Sequence, residues 1–149
     1  ASALIHLIRG GTDLEMRWTA TAHSDAYGLI YCDGVASPAA LAKQLFAQHV
    51  QLGDRLQFPP NRVDTPGLDV IVSQNENGRT SAVFVNTSRS AVTVTPETFA
   101  PELARCSALF RLDGTTRDRV VAETLKGQFV LNGYGIGVIT DRDAGTIID

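Results

Sequence analysis

The chain is poor in the residues that mark several common functional classes. Its 149 residues include two cysteines, one tryptophan and one methionine. Cys32 and Cys106 are far apart and match no metal-ligand spacing, which argues against a zinc module. Two small buried hydrophobic residues are the simpler interpretation, and a disulfide is the alternative. The cysteines therefore leave the redox compartment open.

Charge and hydropathy exclude two further classes of partner. The net charge is −3 and the thirteen Lys and Arg residues are scattered, so no basic stripe is available to bind nucleic acid. No apolar run approaches the roughly 20 residues that span a bilayer. Residues 1–9 are apolar at helical spacing but have no basic n-region of a signal peptide. We expect them to be the interior of a helix whose beginning is missing.

The first third of the chain has the pattern helix, strand, helix. After the opening helix, residues 14–19 and 27–30 are short extended segments bounded by turn residues. Ser37 is a good N-cap and Pro38 suits the first helical position, so a second helix is predicted to begin there. Gly53 is predicted to stop it. We assign residues 1–53 to this α/β segment.

From residue 54 to residue 149 the helical period gives way to alternation. Residues 69–74 and 81–87 flank Asn75-Glu76-Asn77-Gly78, and Asn-Gly is the strongest short hairpin signal. Short strands then recur between turn signals, a spacing that predicts an antiparallel β-sandwich. These further predicted strands are residues 91–95, 108–112, 119–123, 128–131 and 135–140.

The α/β segment is incomplete as a fold. A buried strand between two helices needs partner strands on both edges, and this sequence predicts none for it. We therefore expect the first fifty residues to pack against a polypeptide that the sequence does not contain.

The order of motifs in this segment resembles the end of the TIM barrel in retaining glycoside hydrolases of the β-xylosidase and α-L-iduronidase type and their wider clan. In that clan an eighth strand ends in Trp and a Thr or Ser, a "YGL" loop and an Asp-Gly follow, and Pro opens the eighth helix. A β-sandwich follows in many members. The matching residues here are Leu14-Glu15-Met16-Arg17-Trp18-Thr19, His23-Ser24-Asp25-Ala26-Tyr27-Gly28-Leu29-Ile30, Asp33-Gly34, Pro38, Ala42-Lys43 and Leu45-Phe46.

The resemblance implies a retaining mechanism with two glutamates, at the ends of barrel strands four and seven. Both would lie on the upstream barrel polypeptide, so no catalytic residue is assigned to this chain. No metal or organic cofactor is implied. His6 and His49 lie on helical faces without a second ligand at metal spacing, which favours structural roles.

Three residues are candidates for substrate binding. Trp18 is at the carboxyl end of the predicted strand, the face where barrel enzymes place their sites, and an indole can stack under a sugar ring. His23 and Asp25 lie in the following loop and can hydrogen-bond sugar hydroxyls. The alternatives are a Trp packed between strand and helix, and loop residues that only cap turns.

Two motifs in the sandwich half have simpler explanations than function. Asn86-Thr87-Ser88 matches a glycosylation sequon, a short and frequent pattern. Gly133, Gly135 and Gly137 surround Tyr134 but enter a strand, which favours a tight turn and a strand edge over a phosphate loop.

The sequence therefore predicts a mainly β fold with an N-terminal α/β piece: an antiparallel β-sandwich following the last strand-helix unit of a (β/α)8 barrel. The predicted function is the C-terminal chain or fragment of a glycoside hydrolase, inactive alone and prone to self-association. Alternatives are a non-catalytic carbohydrate-binding or accessory module and an interaction domain. Against a sugar module, the sandwich half has no Trp, and its aromatic residues, Tyr134 included, fit core or strand positions. A secreted or periplasmic location is favoured over a cytoplasmic one.

Overall fold

A computed structural model of the chain describes residues 1–11, 29–30, 35–60, 63–116 and 119–141. Its helices and strands are mostly those that the sequence predicts. The helices are α1 (Ser2–Arg9) and α2 (Pro38–His49), and two short 3-10 helices span Pro96–Thr98 and Pro101–Arg105. The strands are β1 (Arg55–Gln57), β2 (Leu68–Gln74), β3 (Thr80–Asn86), β4 (Val92–Val94), β5 (Ala108–Leu112), β6 (Val121–Thr124), β7 (Phe129–Leu131) and β8 (Ile136–Thr140).

The described strands form two antiparallel sheets. The large sheet has six strands in the order β1-β2-β3-β8-β5-β6, and the small sheet pairs β4 with β7. The predicted hairpin joins β2 and β3, with Gln74 opposite Thr80 and Asn75 accepting backbone hydrogen bonds across the turn. Gly78 has a φ of +73°, which a residue with a Cβ rarely adopts. The mainly β, sandwich-like fold class is thereby confirmed.

The first core lies between the two sheets. Phe84 of β3 is fully buried there and makes edge-to-face contacts with Phe99 and Phe129, each with ring centroids 5.6 Å apart. Leu103 of the second 3-10 helix fills the same layer beside the small sheet. This 3-10 segment, which the sequence pattern did not predict, closes the open part of the sandwich.

The second core lies on the opposite face of the large sheet, under the two helices. Ile5 of α1 and Leu45 and Phe46 of α2 are buried against residues of β2, β3, β5 and β8. We expected these helices to rely on a polypeptide outside the chain, but the large sheet covers one face of each. Leu7 is the one large hydrophobic residue of α1 and α2 that is exposed, at 37%. Packing of a further polypeptide there stays a prediction.

Polar contacts anchor α1 to the large sheet and cap the start of α2. The Ser2 hydroxyl donates to Asp69 Oδ2 at 2.5 Å, and His6 Nε2 lies 3.2 Å from the same oxygen. Asp69 lies in β2, so the first turn of α1 is anchored where β2 begins. At α2, the Ser37 side chain accepts from Ala40 N at 3.3 Å, which confirms the predicted N-cap.

Candidate functional site

The three predicted substrate-binding residues, Trp18, His23 and Asp25, lie outside the residues that the structure describes. The described residues on either side define where that segment is attached. It leaves α1 at Gly11 and returns at Leu29, whose carbonyl accepts a hydrogen bond from Ser37 N at 2.8 Å. The role of the three residues therefore stays a prediction from sequence.

A second polar region lies at the end of the large sheet where β2 and β8 begin and β3 and β5 end, and it contains the two motifs for which the sequence favoured structural explanations. Three connecting segments meet there: residues 87–91 after β3, residues 113–116 after β5, and residues 132–135 between β7 and β8. We call this region the loop platform. Asn86 and Asp113 hold its segments together, and Tyr134 projects from it.

Asn86 is the central clamp of the loop platform. It is completely buried, and its Nδ2 donates to Ser90 O at 2.8 Å, Leu131 O at 3.1 Å and Asn132 O at 3.2 Å. Its Oδ1 accepts from Ser88 N and Ser88 Oγ. A glycan on this amide is incompatible with the folded domain, so the sequon reflects a structural asparagine.

Asp113 holds residues 113–116 and 132–135 together. Its carboxylate has no exposed surface and accepts hydrogen bonds from Thr115 N, Thr115 Oγ1 and Asn132 Nδ2, while Arg111 Nη1 lies 3.5 Å away. Burial raises the pKa of Asp113, but the hydrogen bonds from Thr115 and Asn132 and the charge of Arg111 outweigh it and leave the pKa below its ordinary value. The aspartate is therefore held ionised.

Tyr134 lies in an unusual backbone conformation on the loop platform. Its φ is +58°, the one positive φ among the described non-glycine residues, and the residue is 69% exposed. Arg89 Nε lies 3.4 Å from its hydroxyl oxygen and is the donor in that contact. The expectation that Tyr134 fits a core or strand position is wrong, because a turn between tightly packed segments turns its ring outward.

The flanking glycines show how closely the turn around Tyr134 packs against the neighbouring segments. A Cβ on Gly133 would lie 2.4 Å from Arg89 O, and one on Gly135 would lie 2.8 Å from Asp113 Cβ. The predicted tight turn is therefore correct at these two positions. Gly137, in contrast, lies in the central strand β8 rather than at a sheet edge, and its missing Cβ leaves room for Phe129.

A groove of about 620 Å³ opens between β5, β6 and β7. Leu109, Leu125 and Phe129 contribute apolar surface, and Arg111 forms a 2.7 Å ion pair with Glu123 at its side. The Nε of Arg111 is buried and has no hydrogen-bond partner among the described residues. Because the charge of Arg111 is already matched by Glu123 and Asp113, the groove presents no free charge at this position for a ligand.

Other chemical groups in the described residues have structural surroundings. Burial raises the pKa of the Cys106 thiol to about 12, which keeps the sulfur protonated and unreactive. Within the described ranges, His, Cys, Asp and Glu do not cluster in groups of three or more that could hold a metal ion. None of the described helices has the length and hydropathy to cross a membrane.

Comparisons with known proteins support the fold. No family model and no curated protein matches the chain. Among solved structures, it is similar to the catalytic domain of the family 30 xylanase C from Talaromyces cellulolyticus, with a TM-score of 0.58 and 16% identity over 93% of this chain and 34% of that one. A family 30 endoxylanase from Clostridium papyrosolvens gives a TM-score of 0.57 and 15% identity, over 93% and 36% of the two chains.

A third similar structure, a family 30 subfamily 8 xylanase from Clostridium acetobutylicum, gives a TM-score of 0.51 and 12% identity over 76% of this chain and 30% of that one. The chain thus spans about a third of the length of these structures. At this identity the likeness is one of fold. The structures compared here are family 30 enzymes, not the β-xylosidase and α-L-iduronidase type that the sequence motifs resemble.

Proposed function

We propose that this chain is the C-terminal part of a glycoside hydrolase that cleaves glycosidic bonds with retention. The observation that carries the proposal is the fold match over 93% of the chain to a family 30 xylanase. The motifs in the first fifty residues independently resemble the eighth strand and helix of a barrel. An upstream barrel polypeptide would supply the two catalytic glutamates, one as acid/base and one as nucleophile. The sandwich would stabilise that barrel through the large sheet and the helices α1 and α2 that pack on it.

Within this proposal, Trp18 is a sugar platform at the end of the eighth barrel strand. The indole would stack on the apolar C–H face of a pyranose, and His23 and Asp25 would hydrogen-bond its hydroxyls. Xylan is the first substrate to test, because the three similar structures are xylanases.

The experiment first determines whether a second polypeptide co-purifies with the chain. Intact mass and light scattering of the purified material identify an upstream polypeptide, and xylan hydrolysis is then measured with the chain alone and with the complex. We expect activity from the complex only, with the anomeric configuration retained in the first product seen by NMR. Hydrolysis by the chain alone, or an inverted product, contradicts the proposal.

A matched pair of variants tests the role of Trp18 in the active complex. Trp18→Ala should lower kcat/KM on xylan about tenfold, or about 1.4 kcal/mol, whereas Trp18→Phe keeps an aromatic face and should lose less. Equal values for both variants and the unmodified enzyme would remove Trp18 from the site.

The second candidate function is a non-catalytic carbohydrate-binding module, and the exposure of Tyr134 favours it. The two candidates differ in what they require. A module works as a monomer without a barrel partner, so a monomeric chain that binds polysaccharide, with no hydrolytic partner, would favour the module over the hydrolase.

A further inference from the structure

The loop platform holds an aromatic side chain in solvent by a backbone conformation that tyrosine seldom adopts. Most residues avoid positive φ because the Cβ crowds the neighbouring carbonyl oxygen, and such positions persist only where the surrounding structure fixes them. Here the fixing groups are the buried Asn86 and the ionised Asp113. The Tyr134 amide also donates to Ser88 O at 3.1 Å. The backbone of Tyr134 is therefore fixed before any ligand arrives, and its ring projects into solvent.

The surroundings of the ring suit a small polar ligand better than a protein surface. Of the aromatic side chains in the described part of the chain, only Tyr134 is exposed, and the segment that carries its contact Arg89 also has the exposed polar residues Thr87 and Ser90. A protein interface needs a broad patch with an apolar centre, which one tyrosine does not provide. One aromatic face with hydrogen-bond donors at its edge is the composition of a sugar subsite.

We propose that Tyr134 and Arg89 form a polysaccharide-binding subsite on the sandwich, in which the phenol ring stacks on a pyranose and the guanidinium donates hydrogen bonds to its hydroxyls. The two side chains lie next to each other, with Arg89 Nε 3.4 Å from the Tyr134 hydroxyl oxygen. Because the backbone that carries the ring is already ordered, binding there loses less conformational entropy.

The position of the loop platform suggests how this subsite serves the enzyme, a step that rests on the proposed function. Barrel helices run from the end of the barrel that holds the active site toward the opposite end, so the Ser2 end of α1 is the end nearer the active site. The first turn of α1 is anchored by Ser2 to Asp69, which pairs with Val85 of β3, next to Asn86. Tyr134 is therefore expected on the active-site side of the molecule, where it would hold a polysaccharide chain beyond the cleft.

The test uses the 149-residue chain and affinity electrophoresis in gels containing soluble xylan or hydroxyethylcellulose. We expect xylan to retard the unmodified chain, Tyr134→Ala to weaken the apparent affinity at least tenfold, and Tyr134→Phe to weaken it less than threefold. Arg89→Ala should give an intermediate loss. Retardation that is equal for the unmodified chain and Tyr134→Ala, or absent from both gels, overturns the subsite.

Two further variants separate binding from folding. Tyr134→Gly and Tyr134→Asn place residues that tolerate positive φ at this position, so their Tm should equal or exceed that of the unmodified chain while binding is lost. A fall in Tm in step with the loss of binding would instead assign Tyr134 a structural role.

Trp18→Ala serves as the control for the other predicted site. If that variant abolishes retardation and the Tyr134 variants do not, the sugar binds at the barrel segment and the subsite proposal fails while the proposed function gains support. If no polysaccharide binds the chain but its complex hydrolyses xylan with retention, the subsite alone is wrong.

Discussion

At the scale of single residues, Asn86 stabilises the sandwich more than its position in a loop-rich region suggests. Each of its amide atoms replaces a contact that water would otherwise make with the backbone of residues 88–90 and 131–132. A buried carbonyl group that loses its partner has a high free energy, because desolvation is no longer compensated.

We expect Asn86→Ala to lower the free energy of unfolding by about 2–4 kcal/mol, because three carbonyl oxygens lose a donor. Asn86→Asp should be worse still, since it sets a carboxylate against those oxygens. Urea unfolding measures both, with Asn77→Ala in the exposed hairpin turn as the control, expected within about 0.5 kcal/mol of the unmodified chain. An Asn86→Asp chain as stable as the unmodified one would contradict the assigned hydrogen bonds.

Asp113 should make the domain sensitive to acid. Because its folded pKa lies below the ordinary 3.8, its ionised form stabilises the fold fully above that value, and this contribution is lost as the pH falls through the folded pKa. Asp113→Asn should therefore lower Tm more at pH 7 than at pH 3.

Thermal unfolding of the two chains between pH 7 and pH 3 measures this effect. Glu76→Gln, in the exposed turn between β2 and β3, is the matched control and should run parallel to the unmodified chain. A difference in Tm between Asp113→Asn and the unmodified chain that does not shrink toward pH 3 would mean that the charge of Asp113 contributes nothing.

At the scale of elements, the sequence predicted the helices and strands that begin or end at a chemically distinctive residue. Ser37-Pro38 predicted the start of α2, and Asn77-Gly78 predicted the β2–β3 hairpin. β1 and the 3-10 helices were missed, because three-residue strands and single turns lack a full hydrophobic period and form through tertiary contacts.

The residues of the candidate sites also fall into those that a local sequence signal predicted and those that it did not. Trp18, His23 and Asp25 were selected by motif, whereas the clamp residues Asn86 and Asp113 depend on contacts between strands distant in sequence. One local signal for Tyr134 was present: a large aromatic residue between two glycines has no adjacent side chains to cover it.

Helix α2 should contribute to stability through its buried face alone. Leu45→Ala removes a side chain packed against the large sheet and should lower the free energy of unfolding by about 2–5 kcal/mol. Gln44→Ala, on the exposed face one residue earlier, should change it by less than about 0.5 kcal/mol. Urea denaturation compares the two, and similar values would mean that α2 does not pack on the sheet in solution.

At the scale of the whole molecule, the large sheet is shared by two cores. Val83 of β3 faces the helices and Phe84 faces the small sheet, so neither layer can be removed without exposing one face of the same strands. We therefore expect the helices and the sandwich to unfold as one cooperative unit.

Hydrogen exchange followed by mass spectrometry tests this coupling. Ile5→Ala, a change in α1, should reduce protection in peptides covering β2 and β3 as well as in the helix itself. Protection lost from α1 alone would show that the helical layer opens independently of the sandwich.

The double burial of β3 also has a consequence for how the sequence can vary. All seven residues from Thr80 to Asn86 are buried, so the strand lacks the outward-facing positions where antiparallel strands usually accept polar substitutions. β6, at the sheet edge, has three exposed residues among its four. A saturation library of the chain should therefore show an unbroken band of intolerance across β3 and a permissive stretch across β6, and natural variants should diverge fastest at that edge.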